Sequence, residues 1–241
     1  MGALDLLEEL GVEIKPGKVV GIYGPSLVGK SLLAWIIASE FVGNNGNVVV
    51  FGIEPHYQDS DYRKLAESYM QVRTRYINYC ASKEDVFKYM RLASKHRFEG
   101  KVAFILDSLS YIMMYEQAKY ISQGYSEPRV YVPRVVPVLY SIASLFKRLT
   151  LDKDALGLVI MHASSSAGTM KYRGLVDLRP SMAQRVLHSL DYLLLMESEG
   201  AKPDAPRKLT LIASRLTPLA EGNTVNFIFK DKTVVALNRK Q

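Results

Sequence analysis

One cysteine, Cys80, stands among 241 residues. That excludes an internal disulfide and any zinc site built on cysteine pairs. Cys80 closes the stretch Arg75-Tyr76-Ile77-Asn78-Tyr79-Cys80, which reads as a strand, and a small buried hydrophobe is expected there. No apolar run approaches the roughly 18 residues that a membrane span needs. The opening Met1-Gly2-Ala3-Leu4-Asp5 has neither the basic nor the apolar region of a secretory signal, so a cytoplasmic protein with no membrane partner is expected. Internal repeats, low-complexity tracts and long linkers are also missing. One domain over residues 1–241 follows as the expectation. Acidic residues are in the minority: 24 Asp and Glu against 31 Lys and Arg, a net charge of +7. Such a balance favours a polyanionic partner.

What is present is a phosphate-binding pattern. Gly24-Pro25-Ser26-Leu27-Val28-Gly29-Lys30-Ser31 has the G-x-x-x-x-G-K-[ST] spacing. Lys18 to Tyr23 before it reads as a short buried strand. Leu32 to Phe41 after it has no helix breaker and is apolar nearly all round, as a helix buried against a sheet would be. Strand, glycine loop and helix together aim backbone N–H groups and a helix N-terminus at a phosphate. Residues 24–32 are therefore expected to hold a nucleotide, ATP, with Lys30 on the β- and γ-phosphates and the Ser31 hydroxyl on Mg²⁺.

Around this loop the chain alternates strands and helices. A short amphipathic helix over residues 2–10 stops at Gly11, and Asn44–Asn47 read as the C-cap and loop closing the helix after the phosphate loop. Val48–Ile53, Tyr76–Tyr79, Lys101–Leu106 and Leu156–Met161 read as strands. Asp61–Val72, Ser82–Arg97, Ser110–Ile121 and Val135–Leu151 read as helices, with Ser82 as an N-cap and Asp85 three residues on. Glycine and proline punctuate Ser122 to Pro133, and Ala163 to Pro180 is rich in Ser and Gly and reads as mobile. The last third, Asp191–Glu197, Lys208–Arg215, Asn223–Lys230 and Thr233–Leu237, reads as antiparallel strands.

Phosphoanhydride hydrolysis needs a second metal anchor besides the loop hydroxyl, and an aspartate ending a buried apolar strand commonly serves. Asp107, after Val102-Ala103-Phe104-Ile105-Leu106, fits, with capping of the next helix as the alternative role.

These residues carry a resemblance. Leu4-Asp5, Gly11-Val12-Glu13 and Pro16-Gly17-Lys18 resemble the opening of RecA/RadA/KaiC-type ATPases. Leu106-Asp107-Ser108-Leu109-Ser110 is similar to the family's metal motif, and Glu221-Gly222 to the Pro-Glu-Gly of archaeal RadA cores. The resemblance covers almost the whole chain. It implies a RecA-like α/β P-loop core: a mostly parallel central sheet, helices on both faces and a C-terminal antiparallel extension. It also implies ATP as ligand and action between subunits of a homo-oligomer. In the family a glutamate at the end of the second core strand orients water. Glu54 holds that place, although Gly52-Ile53-Glu54-Pro55 departs from the family's Asp-Thr-Glu-Gly. By the same resemblance His162 stands where recombinases carry a polar γ-phosphate sensor, and Arg215 where a cation reaches a neighbour's γ-phosphate.

The two DNA-binding loops of recombinases correspond to residues 119–134 and 163–180. They carry Lys119, Tyr120, Tyr125, Arg129, Tyr131 and Arg134, then Lys171, Tyr172, Arg173 and Arg179, a mixture of cations and aromatics that suits a stacked single strand. Solvated surface loops with local tyrosine packing are the alternative. An N-terminal helical DNA-binding domain and a Phe-x-x-Ala tether are not found in this sequence. The expectation is a core-only archaeal RadA paralogue, an ATPase that binds DNA, single strands favoured, and assists or regulates recombinational repair beside a RadA-type recombinase. A KaiC-like signalling ATPase or autokinase, and a nucleotide-bound mediator that does not hydrolyse, stand as alternatives.

Overall fold

The computed structural model describes residues 2–125, 127–165, 178–180, 184–200, 202 and 204–237. Three strands with every residue buried form the centre: β1 (Val19–Gly24), β2 (Asn47–Gly52) and β4 (Val102–Asp107). Their β-branched and aromatic runs suit strands covered on both faces. β3 (Thr74–Tyr79) ends the sheet and is only partly buried. The order continues through β5 (Leu156–Ser165) to β7 (Tyr192–Ser198), β8 (Arg207–Ser214), β9 (Thr224–Lys230) and β10 (Thr233–Ala236), giving β10-β9-β8-β7-β1-β5-β4-β2-β3, while β6 (Leu178–Pro180) pairs with the far end of β5.

One face of the sheet is covered by α1 (Ala3–Glu9), α2 (Lys30–Val42) and α3 (Ser60–Tyr69), the other by α4 (Lys83–Lys95), α5 (Leu109–Ser122) and α6 (Pro128–Asp152). Helix α2 is buried almost all round, as its unbroken apolar sequence requires. Ser82 caps α4 by accepting the Asp85 N–H, as its spacing predicts. Cys80 lies one residue beyond β3 rather than within it, and burial pushes its thiol up to about 12.

The structure differs from the sequence reading in four places. Helix α6 begins at Pro128, not near Val135, and holds Pro133 and Pro137 inside it. Pro128 suits a first helical position, and the buried stripe Val135, Leu139, Ile142, Phe146 and Leu149 outweighs the backbone bonds the inner prolines cannot donate. The described residues of 119–134 therefore belong to the end of α5, a turn and the start of α6 rather than to a loop. β7 runs parallel to β1 on one side and antiparallel to β8 on the other, so the antiparallel extension begins one strand later than expected. Residues 163–165 and 178–180, in the segment read as mobile, pair as two antiparallel strand ends. Helix α2 is closed by Gly43, whose φ of 67° favours glycine, and Asn47 already belongs to β2.

At the amino edge of the sheet a buried polar junction fixes where β1 begins. Asp191 accepts the Val19 N–H at 2.7 Å and the Lys147 ammonium at 2.5 Å, and Lys147 also donates to the Gly17 carbonyl at 3.0 Å. Asp191→Ala strands a part-buried ammonium and a buried amide, and a loss of about 1–3 kcal/mol is expected for such unsatisfied donors. Urea unfolding measures it, and a change under ~0.5 kcal/mol, the range of a neutral surface substitution, would make the junction incidental.

Candidate nucleotide-binding site

The topology brings the ends of four neighbouring strands together. Gly24 at the end of β1 is in register with His162 of β5, and Gly52 at the end of β2 with Asp107 of β4. The sequence-predicted residues of the phosphate loop, Glu54, Asp107 and His162 thus share one carboxyl edge, where ligands of open α/β sheets bind. Lys30, Ser31, Leu32, Glu54 and His162 line a common cleft of about 400 Å³. The half-buried Tyr62 and Tyr69, packed on the buried Trp35, also line it and offer aromatic surface to a base.

The loop itself is shaped for an anion. Gly29 is the N-cap of α2 at φ 97°, and Leu27 at the apex also has positive φ, 64°, with its side chain 92% exposed. Pro25 and Ser26 are exposed and Val28 is buried beneath them. The Lys30 ammonium folds back on the loop, donating to the Gly24 carbonyl at 3.1 Å and the Pro25 carbonyl at 2.6 Å. Burial lowers its pKa, partly offset by the charges of Asp107 and Glu54.

Asp107 is fully buried and half satisfied. The Tyr57 hydroxyl donates to its Oδ2 at 2.6 Å, while Oδ1 has no hydrogen-bond partner. Burial raises the Asp107 pKa and the nearby Glu54 charge adds to it, against the hydrogen bond from Tyr57. A hydroxyl, Ser31, beside a buried carboxylate with a spare oxygen is a hard-oxygen donor set that fits Mg²⁺. Among the described residues no group of three or more His, Cys, Asp or Glu could hold a metal alone. The remaining ligands would have to come from phosphate and water.

Glu54 sits between two histidines. Its Oε1 lies 3.0 Å from His162 Nε2 and its Oε2 lies 3.5 Å from His56 Nδ1. Burial works to raise its pKa, but the hydrogen bond with His162 and the histidine charges outweigh it, and the carboxyl is held below its ordinary value. A carboxylate kept ionised beside a phosphate cradle can accept a proton from water. The His162 backbone N–H in turn donates to the Ser110 hydroxyl at 2.9 Å, which ties β5 to the first turn of α5.

Residues 7–136 match the family model described as ABC transporter, more than half of the 241 residues and the half that carries the phosphate loop and Asp107. The chain belongs to that family of P-loop ATPase domains. The arrangement of this P-loop ATPase is RecA-like: a crystal structure of RadB recombinase superposes with a TM-score of 0.64 at 17% identity, over 97% of this chain and 96% of that one, a likeness of fold. A stretch of 58 residues is 41% identical to an ABC transporter ATP-binding protein of Mycoplasma pneumoniae. That stretch is 24% of this chain and 9% of the relative, so the P-loop ATPase spans a small part of the relative's length. No helix among the described residues is long and apolar enough to cross a membrane.

The other sequence-predicted residues lie elsewhere. Ser214 is in register with Tyr192, and the Arg215 N–H donates to the Asp191 carbonyl at 3.0 Å, so Arg215 is exposed at the amino edge of the sheet. A six-residue strand, about 20 Å, separates it from its own phosphate loop. Arg129 and Arg134 lie exposed on the first turns of α6, with Tyr131 between them in sequence. The Arg134 guanidinium stands 5.6 Å from the Tyr120 ring centre and 4.7 Å from that of Tyr125. The side chain of Tyr131 lies outside the described part, as do Lys171, Tyr172 and Arg173; Arg179 is placed in β6 by its backbone alone.

Two contributors went unread in the sequence. Arg207, 4% exposed, donates through Nε to the Val28 carbonyl at 3.3 Å and stacks 5.1 Å from the Phe229 ring, bracing the loop from the antiparallel extension. Its only sequence signal is a cation opening a strand. Tyr57 is the second, and an isolated tyrosine after Pro55-His56 announces nothing.

Asp107 is a charge that the fold would discard. A carboxyl whose folded pKa is raised stabilises only below its unfolded pKa, and that contribution is lost as pH rises through the folded value. Asp107→Asn removes the charge and keeps an acceptor for Tyr57. We expect a higher melting temperature at neutral pH without nucleotide, together with lost Mg²⁺-dependent nucleotide binding. Differential scanning calorimetry and a nucleotide titration read the two effects, and a lower melting temperature would give Asp107 a purely structural part.

Proposed function

We propose that this P-loop ATPase hydrolyses ATP with Mg²⁺, binds DNA, and assists or regulates recombinational repair as a homo-oligomer in which residues 1–241 act as one RecA-like domain. The observation that carries the reading is the meeting of Lys30, Ser31, Glu54 and His162 in one cleft, with Asp107 buried beside it, at the carboxyl edge of four adjacent strands. The loop amides and Lys30 hold the β- and γ-phosphates, and Ser31 and Asp107 would hold the Mg²⁺. When bound, that ion neutralises charge developing on the phosphates. Glu54 orients the attacking water and accepts its proton. His162 lies within reach of both Glu54 and Ser110, so a γ-phosphate that draws its ring away from Glu54 is signalled to α5.

DNA binding is supported by the net charge of +7, by the likeness in fold to RadB recombinase, and by the α5–α6 corner. A 25-residue helix is about 37 Å long and a six-residue strand about 20 Å, so the first turns of α6 overshoot the carboxyl edge of the sheet. There the exposed Arg134 and Tyr125 stack with the half-buried Tyr120, a grouping of cation and rings whose chemistry suits a single strand. Arg129, Tyr131, Lys171, Tyr172, Arg173 and Arg179 complete the proposed path, and a RadA-type recombinase is the proposed protein partner. A nucleotide-bound mediator with negligible hydrolysis is the second reading, favoured by the engagement of both Glu54 oxygens by histidines.

ATP turnover measured with and without single-stranded DNA separates these readings. DNA stimulation is expected, and Glu54→Gln should keep ATP binding while lowering turnover roughly 10²-fold or more. Turnover indifferent to DNA moves the protein to a signalling ATPase. Binding without turnover makes it a mediator.

Assembly has its own test, because Arg215 can serve only the nucleotide of another copy. Arg215→Ala should lower turnover and spare nucleotide affinity. Mixed with Glu54→Gln it should recover part of the activity, since some interfaces then pair an intact Glu54 with an intact Arg215. Co-assembly without recovery would place the cation elsewhere.

A further inference from the structure

The departure from the family pattern after β2 is a single device. Gly52 and Pro55 stand where the family's Asp-Thr-Glu-Gly has its aspartate and glycine, and the structure joins both to Tyr57. Pro55 opens a 3₁₀ turn over Pro55–Gln58, and the Tyr57 N–H donates to the Glu54 carbonyl at 3.0 Å, closing it. That turn throws the Tyr57 ring back over the end of β2. A Cβ on Gly52 would stand 2.4 Å from Tyr57 Cγ and 2.5 Å from Cδ2, so the ring occupies space that only glycine leaves. Tyr62 meets the same ring edge-on at 5.1 Å, and the Arg63 Nε–H donates to the Tyr57 carbonyl at 2.5 Å. Tyr57 is wholly buried, and its hydroxyl falls 2.6 Å from Asp107 Oδ2.

From this geometry we infer that Tyr57 is a positioning residue: its hydroxyl fixes the Asp107 carboxylate with Oδ1 left for the metal, and fastens the Glu54 turn to that same carboxylate. The inference rests on the reading of Asp107 as the metal-anchoring residue. The physical reason for such a strap is the crowding of the edge. Two carboxylates, Glu54 and Asp107, share one small region and repel each other, and Asp107 has no other strong donor on Oδ2 among the described residues. A neutral phenol satisfies one oxygen without a positive charge that would compete with the cation. Outer partners of this kind orient metal ligands and are worth roughly 10- to 100-fold in metal affinity.

The test titrates Mg²⁺ into the full chain with a fluorescent, non-hydrolysable ATP analogue and reads the Mg²⁺ concentration at half-maximal tightening. The analogue's affinity in EDTA is the reference. Tyr57→Phe keeps the ring in its niche and removes only the hydroxyl; Gly52→Ala displaces the ring from a strand position in register with Asp107 and leaves both the Tyr57 hydroxyl and the Asp107 carboxylate in the sequence. Both are expected to raise the Mg²⁺ midpoint roughly 10-fold or more with affinity in EDTA unchanged. Asp107→Asn serves as the reference for the site itself. If Asp107→Asn abolishes the Mg²⁺ effect while Tyr57→Phe keeps the midpoint within twofold, the strap is overturned and the site stands. If Asp107→Asn leaves the Mg²⁺ effect intact, the metal reading fails and the strap with it. Equal loss in Mg²⁺ and in EDTA would reduce Tyr57 to a core aromatic.

Discussion

The phosphate loop leaves β1 where no side chain can stand. A Cβ on Gly24 would lie 2.0 Å from the Met196 carbonyl oxygen of β7, and one on Gly29 would lie 2.7 Å from the Phe229 ring of β9. The loop is pressed between the strand it follows and the antiparallel extension beyond it. Only glycine at these points lets the backbone turn its amides toward a phosphate while resting on that wall. Arg207 completes the wall by holding the Val28 carbonyl from β8. The antiparallel strands therefore brace the phosphate loop from behind.

A second constraint follows from the first. Bringing β1, β5, β4 and β2 side by side places Glu54 and Asp107 in one partly dehydrated region, and burial of two like charges opposes folding. The chain answers with different partners for each. Glu54 receives two imidazoles and stays ionised; Asp107 receives one phenol and keeps a free oxygen. The difference sets their chemistry apart, since one carboxylate is held ready for a proton and the other is short of a positive partner. Stability is given up at the edge where chemistry is proposed, and the buried sheet and its two apolar layers supply it elsewhere.

The remaining cations are distributed by the geometry of the sheet. Arg215 ends an antiparallel strand, so it is carried to the amino edge, away from the loop in the same chain. The α5–α6 corner holds Arg134 against Tyr120 and Tyr125 at the start of the 25-residue α6.

Local pattern was enough to read the phosphate loop, the buried parallel strands and the amphipathic helices. Each of these is written in a few consecutive residues: glycine spacing, β-branched runs, a 3.6-residue apolar stripe. Asp107 and Glu54 were legible as strand-end carboxylates for the same reason. What the sequence alone did not decide was everything that depends on contacts between distant segments. Pro133 read as a breaker, yet it lies inside α6, whose buried face outweighs the bond it cannot donate. β7 read as antiparallel, yet its partner on one side is β1, 172 residues from Asp191 to Val19 along the chain. Tyr57 and Arg207 have no local signature because their meaning lies in what they touch, Asp107 and Val28, across 50 and 179 residues. Short-range periodicity fixes elements, whereas the packing of those elements assigns each polar side chain its partner. The tertiary structure therefore decided how the site is braced.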